Sequence, residues 1–180
     1  DEFTAPPVIL RVDDSVIGAL GNFSASTGKA KSKKTFNVCA IVAAAMTGGT
    51  VLNYSASLPP ERRRVLYVDT EQSRFHCKRV LCRILRLAGL PTDAHPPLLE
   101  FLCLRGYATK ERLRKIEEAI YDLDDLGLVV IDGIRDLAHD INSPGEATDL
   151  ITKLMQWTDE RRIHIHTVLH LNKGDDNTRG

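Results

Sequence analysis

The sequence predicts an α/β domain with a mainly parallel central sheet and helices on both faces, and three observations carry that prediction. Short apolar runs alternate with segments of three-and-four apolar spacing along most of the chain, the order that βα repeats produce. One strand-like run is followed by a lysine-rich octapeptide at residues 28–35 and then by an alanine-rich helical run. Two further apolar runs end in acid, at Asp69 and Asp132, and ligands gather at the carboxyl ends of the strands in open parallel sheets.

The octapeptide Gly-Lys-Ala-Lys-Ser-Lys-Lys-Thr fits the phosphate-binding loop at all but one of its defining places. That loop runs from a Gly through four residues to Gly-Lys-Ser/Thr at a helix start, where backbone N–H groups and the lysine cradle the β- and γ-phosphates. Gly28, Lys34 and Thr35 fill three of the four places, and Lys33 stands where the second glycine belongs. A side chain there is expected to hold strained or left-handed backbone, at about 1 to 2 kcal/mol, or to widen the loop. Taken alone, the stretch also suits a solvated lysine run. Its neighbours favour phosphate: residues 16–23 read as a short buried strand, and residues 36–46 as a buried helix stopped by Gly48 and Gly49.

The remaining elements follow in order. Residues 50–55 suit a short strand or hairpin arm before a proline break at Pro59 and Pro60, and residues 65–69 form a β-rich run ending in acid. Helical spacing from Phe75 to Leu87 ends at Gly89 before Pro91, and residues 98–104 read as a third core strand. An amphipathic helix is expected over 110–125, with Leu113, Ile116, Ala119, Ile120 and Leu123 on one face and Thr109 as its N-cap. Residues 126–132 are the clearest buried strand, followed by a polar loop, a helix over 145–162 and a strand over 163–171.

At 180 residues and 43% hydrophobic the chain can bury one core, so a single domain is expected. Lysine plus arginine number 24, as do aspartate plus glutamate, and that balance argues against a general nucleic-acid coat. No apolar run approaches the ~20 residues that span a bilayer and no signal peptide opens the chain, so a soluble, cytoplasmic protein with no membrane partner is expected. Cys39, Cys77, Cys82 and Cys103 lack paired C-x-x-C spacing and are expected to be reduced and mostly buried. The start at Asp1 and the end just past a strand suggest a fragment, with residues 1–15 a linker or edge segment.

Asp132 closes an apolar strand where it would join the Thr35 hydroxyl in holding magnesium; a plain turn or helix cap is the alternative. Of the carboxylates at Asp69 and Glu71, Glu71 lies past the strand end and is the choice for the base that takes the water proton, helix capping being the alternative for either. His164, His166 and His170 share parity and so one face of the last strand. A metal pair lacks companion ligands there, whereas His170 stands where an imidazole would hydrogen-bond the γ-phosphate.

Residues 28–35, 65–71, 128–132 and 170–174 together resemble the successive motifs of RecA-like ATPase domains. Within them the Asp69-Thr70-Glu71 and His170-Leu171-Asn172-Lys173 segments are most similar to the RepA type of replicative helicase and its mobile-element relatives. The resemblance implies a three-layer αβα fold over residues 16–180, truncated at the C-terminus, and ATP with Mg2+ as cofactors. It implies nucleotide contacts from Gly28, Ser32, Lys33, Lys34 and Thr35, a magnesium pair of Thr35 and Asp132, Glu71 as catalytic base, His170 as γ-phosphate sensor and Arg79 against adenine, with Arg83 close by. It further implies a hexameric ring around single-stranded DNA, each site completed by a neighbour's arginine, for which Arg179 is a candidate. A nucleotide-responsive module with little turnover and a small-molecule kinase are the other readings.

Overall fold

The structure, a computed structural model, describes residues 4–29 and 34–171. Its elements in chain order are β1 (Val8–Val12), β2 (Ser15–Ala19), β3 (Phe23–Lys29), α1 (Lys34–Thr47), β4 (Thr50–Val51), β5 (Tyr54–Ala56), β6 (Arg64–Asp69), α2 (Arg74–Leu87), β7 (Leu99–Cys103), α3 (Thr109–Asp122), β8 (Leu126–Asp132), α4 (Pro144–Arg161) and β9 (His164–Leu171). A 3-10 turn, Ile134–Leu137, follows β8.

Five strands form an all-parallel sheet in the order β3-β9-β8-β6-β7, and four form a small antiparallel sheet in the order β2-β1-β5-β4. The central strand β8, Leu-Gly-Leu-Val-Val-Ile-Asp, is buried at all seven positions, as a strand covered on both faces must be. Its even-numbered residues Leu128 and Val130 join Val65, Tyr67 and Val168 in a core beneath α1, α2 and the small sheet. Its odd-numbered residues Val129 and Ile131 join Ile120, Leu154 and Trp157 in a second core beneath α3 and α4. The three-layer α/β architecture that the sequence predicts is present.

Helix α1 is buried on nearly every side, from Val38 through Met46, because the parallel sheet lies on one side and α2, β4 and β5 on others. That explains its alanine-rich, all-round apolar sequence, which lacks the polar stripe of a surface helix.

Four expectations are corrected. Residues 8–12 are neither linker nor edge: β1 lies between β2 and β5, with Ile9 and Leu10 buried in the first core. The strand feeding the lysine-rich loop is β3, reading Phe-Ser-Ala-Ser-Thr-Gly-Lys, whereas residues 15–19 belong to the hairpin with β1. β3 escapes the apolar pattern because it is an edge strand that is never fully buried over residues 23–27. β7 is likewise an edge strand, half-buried throughout, and no core strand. Thr109 is the first helical residue of α3, and Ala108 is its N-cap without a side-chain hydrogen bond. The break at Pro59 and Pro60, the 50–55 hairpin, α2 and α4 follow the expected ranges to within a residue or two.

Among the described residues no helix is long and apolar enough to cross a membrane. Cys39 and Cys77 are buried, Cys82 and Cys103 half-buried, and all four are free thiols.

Candidate functional site at the carboxyl ends of the parallel strands

Strand register brings the predicted residues to one edge of the sheet. Asp69 and Asp132, the last residues of β6 and β8, pair directly, and on the neighbouring strands Gly28 of β3 pairs with His170 of β9. Lys34 opens α1 immediately above this edge, and its Nζ donates to the Leu169 carbonyl at 3.1 Å. The lysine is buried; desolvation lowers its pKa, against the attraction of Asp132 and Glu71.

Asp132 is buried, and both its oxygens are engaged. Oδ2 accepts the Tyr67 hydroxyl at 2.8 Å and Oδ1 lies 2.7 Å from His170 Nε2. Tyr67 is itself fixed by stacking on Phe101, centroids 4.7 Å apart. The hydrogen bond to Asp132, followed by the charges of Asp132 and Glu71, raises the His170 pKa above its ordinary value, against burial and Lys34. The imidazole is therefore biased towards its protonated form, with Nδ1 left as a donor.

The segment after β6 divides its acids. Asp69 is buried, and its Oδ1 accepts the backbone N–H groups of Glu71 at 3.0 Å and Gln72 at 2.9 Å. Glu71 stands beyond it, with its pKa pushed up to about 7. Desolvation is the first cause, with the charge of Asp136 and a hydrogen bond to it adding, Asp132 adding further and His170 opposing. The residue keeps access to solvent. Thr70 Oγ1 lies 2.6 Å from the Gly133 carbonyl and 3.1 Å from Asp136 Oδ2.

Gly133 explains how these groups come together. It has φ of +93°, and a Cβ there would lie 2.3 Å from Thr70 Oγ1 and 3.0 Å from Glu71 Cγ. Only glycine fits both the backbone and the space.

Thr35, Gln72, His76, Arg79, Val80 and Arg83 line a cavity of about 240 Å³ beside the start of α1. The Arg83 guanidinium also lies over the Phe36 ring at 5.9 Å. Arg79 thus shares a wall with Thr35, and so does Arg83. Ser32 and Lys33, the segment after Leu171 and Arg179 lie outside the described residues, as does the backbone strain expected at Lys33.

His164 and His166 lie on the same face of β9 as His170 but away from this edge, hydrogen-bonded to Ser24 at 2.8 and 2.7 Å. Sequence reasoning missed Tyr67 and Asp136. Tyr67 had one available signal, its place two residues before Asp69 and so on the same strand face; Asp136, in an irregular turn, had none.

A parallel sheet with a lysine at the first helix and a hydroxyl and carboxylates at the strand ends defines a P-loop type of nucleotide-binding domain. The family model described as AAA domain matches residues 4–176, and the chain belongs to that family, a family of P-loop ATPase domains that bind nucleotide, typically with Mg2+. No curated protein matches the chain. The donor set fits that cofactor: Thr35 and Asp132 offer hard oxygen ligands, the kind Mg2+ takes.

Proposed function

We propose that this domain hydrolyses ATP as the motor of an oligomeric DNA helicase or translocase serving plasmid or mobile-element replication. The observation that carries the hydrolytic part is the convergence of Lys34, Asp132, His170 and Glu71 on one sheet edge.

In this reading Lys34 contacts the β- and γ-phosphates, and its partial desolvation strengthens that contact. Gly28, Ser32 and Lys33 border the phosphates, and Thr35 and Asp132 are the residues that would hold Mg2+. The ion, when bound, supplies charge neutralisation at the phosphate oxygens. Glu71 takes a proton from the attacking water as its oxygen bonds to the γ-phosphorus and the bond to the departing diphosphate breaks. A base with a pKa of about 7 suits proton transfer near neutrality. His170, anchored by Asp132, donates from Nδ1 to the γ-phosphate and releases that contact when the phosphate departs. Arg79 flanks the adenine, with Arg83 in the same wall.

The ring, its hexameric count, single-stranded DNA as the partner, the arginine from a neighbour and the cytoplasmic setting rest on the resemblance to RepA-type helicases. Calorimetry and DNA-dependent turnover test the proposal. Lys34→Ala should abolish ATP binding, Glu71→Gln should keep binding and lose turnover, and single-stranded DNA should stimulate the unsubstituted protein. Undiminished ATP affinity in Lys34→Ala would sink the phosphate assignment, and indifference to DNA would sink the motor.

A further inference from the structure

We propose that Asp136 is the positioning residue for Glu71, holding that carboxylate over Gly133 in the orientation from which it receives the water proton. The inference rests on the reading of Glu71 as the hydrolytic base.

Glu71 lies in the irregular stretch between β6 and α2, where Asp69 fixes its backbone N–H. Asp136 stands on a far stiffer support. Its turn is pegged into the second core by Ile134 and Leu137, both buried, and its backbone N–H returns to the Gly133 carbonyl at 3.2 Å. Arg112 of α3 clamps the turn from the other side, donating to the Asp136 carbonyl at 2.9 Å, the Leu104 carbonyl at 3.0 Å and the Arg105 carbonyl at 2.9 Å. One guanidinium therefore ties α3 and the end of β7 to the turn.

From that support the Asp136 side chain reaches Thr70 and Glu71. All three side chains meet at one point: a Cβ on Gly133 would lie within 3.2 Å of an atom from each. A carboxyl pair in hydrogen-bond contact needs one proton between its members, and two ionised carboxylates there would repel. A proton shared between the two carboxyls joins Glu71 to Asp136 and holds the Glu71 side chain in one orientation. The other charged groups facing Glu71 are Lys34 of α1, Asp132 of β8 and His170 of β9, the last two hydrogen-bonded to each other. Preorientation of a loop-borne base by a group on a rigid element is what a reacting geometry requires.

The test is ATP turnover and ATP affinity in the full chain for Asp136→Ala and Asp136→Asn, each alone and with Glu71→Gln. Asp136→Ala should lower kcat by roughly ten- to a hundredfold while leaving KM and ATP affinity within about twofold. Asp136→Asn keeps both an acceptor for Thr70 and an N–H donor for Glu71, and should recover most of the rate. In the Glu71→Gln background Asp136→Ala should add less than about a twofold further loss, because the two residues act as one unit. An unaltered kcat in Asp136→Ala, an Asn variant as slow as the Ala variant, or an equal loss in the Glu71→Gln background would each overturn the proposal. A Glu71→Gln enzyme with undiminished kcat would instead overturn the reading of Glu71 itself.

Discussion

The two histidines beneath the site make an acid-sensitive seam between the parallel sheet and the β1–β2 hairpin. His164 Nδ1 faces two acceptors, the Ala19 carbonyl at 2.9 Å and Asn22 Oδ1 at 2.8 Å, so it carries the hydrogen. Its Nε2 then accepts from Ser24 at 2.8 Å; His166 Nδ1 donates to Ser24 at 2.7 Å, and His166 Nε2 accepts from Ser26 at 2.9 Å. Both rings are fully satisfied in their neutral forms. Burial, and then the neighbouring His164, depress the His166 pKa to about 4 from 6.5, and burial depresses that of His164. A histidine with a depressed folded-state pKa is protonated first in the unfolded chain, so its contribution to stability falls as pH drops below 6.5. For His166 the loss is about 2 kcal/mol between pH 7 and pH 5 and about 3 kcal/mol once the folded-state value is passed. The other perturbed groups nearby run the opposite way. Asp69 and Glu71 are raised, so their cost to the folded state is relieved as pH falls, and the raised His170 contributes stability that is present below 6.5 and lost as pH rises. Urea unfolding at pH 7, 6 and 5 of the unsubstituted protein and of His166→Asn cancels these shared terms. The unsubstituted protein should lose about 2 kcal/mol more than the variant over that range. Parallel pH dependence in the two would refute the neutral-ring argument.

Three further outcomes follow from single contacts. Gly133→Ala should destabilise the domain by more than about 2 kcal/mol in denaturant unfolding and abolish turnover, since left-handed backbone and a 2.3 Å contact act together. Tyr67→Phe leaves Asp132 Oδ2 buried without its donor, a loss of about 1 to 3 kcal/mol measurable by the same unfolding. Arg79→Ala should weaken ATP binding by about tenfold in calorimetry through lost contact with the base, while inorganic triphosphate binds as before; equal weakening of both would place Arg79 against phosphate.

Much of the layered fold was readable because its period is: β8 shows an unbroken apolar run, and α2 and α3 show three-and-four spacing. What escaped was polarity imposed by position. β3 carries Ser24, Ser26 and Thr27 because it lies at an edge and because its serines serve His164 and His166. A sequence scan for apolar strands therefore settled one element too early, on residues that instead build the hairpin. The site residues that end strands or start helices were legible, because strand ends and helix starts are where a βα unit must place its ligand groups. Asp136 was not, since a 3-10 turn has neither a hydrophobic period nor a cap pattern to mark it.

The choice between Asp69 and Glu71 shows how far adjacent acids can differ in what the chain leaves them free to do. Asp69 has one oxygen committed to two backbone N–H groups and the other sealed from solvent, with the Cys77 thiol as its neighbour. An acid so held shapes the turn after β6 and offers no lone pair to an incoming water. Glu71, two residues on, has its N–H fixed by that same oxygen and its carboxyl left at the open end of the site beside Asp136 and His170. The capping role and the proton-accepting role are therefore alternatives only for the segment as a whole. In the proposed mechanism Asp69 takes the first and Glu71 is presented for the second, and replacing Asp69 by Asn, which keeps the acceptor, should spare turnover far better than replacing it by Ala.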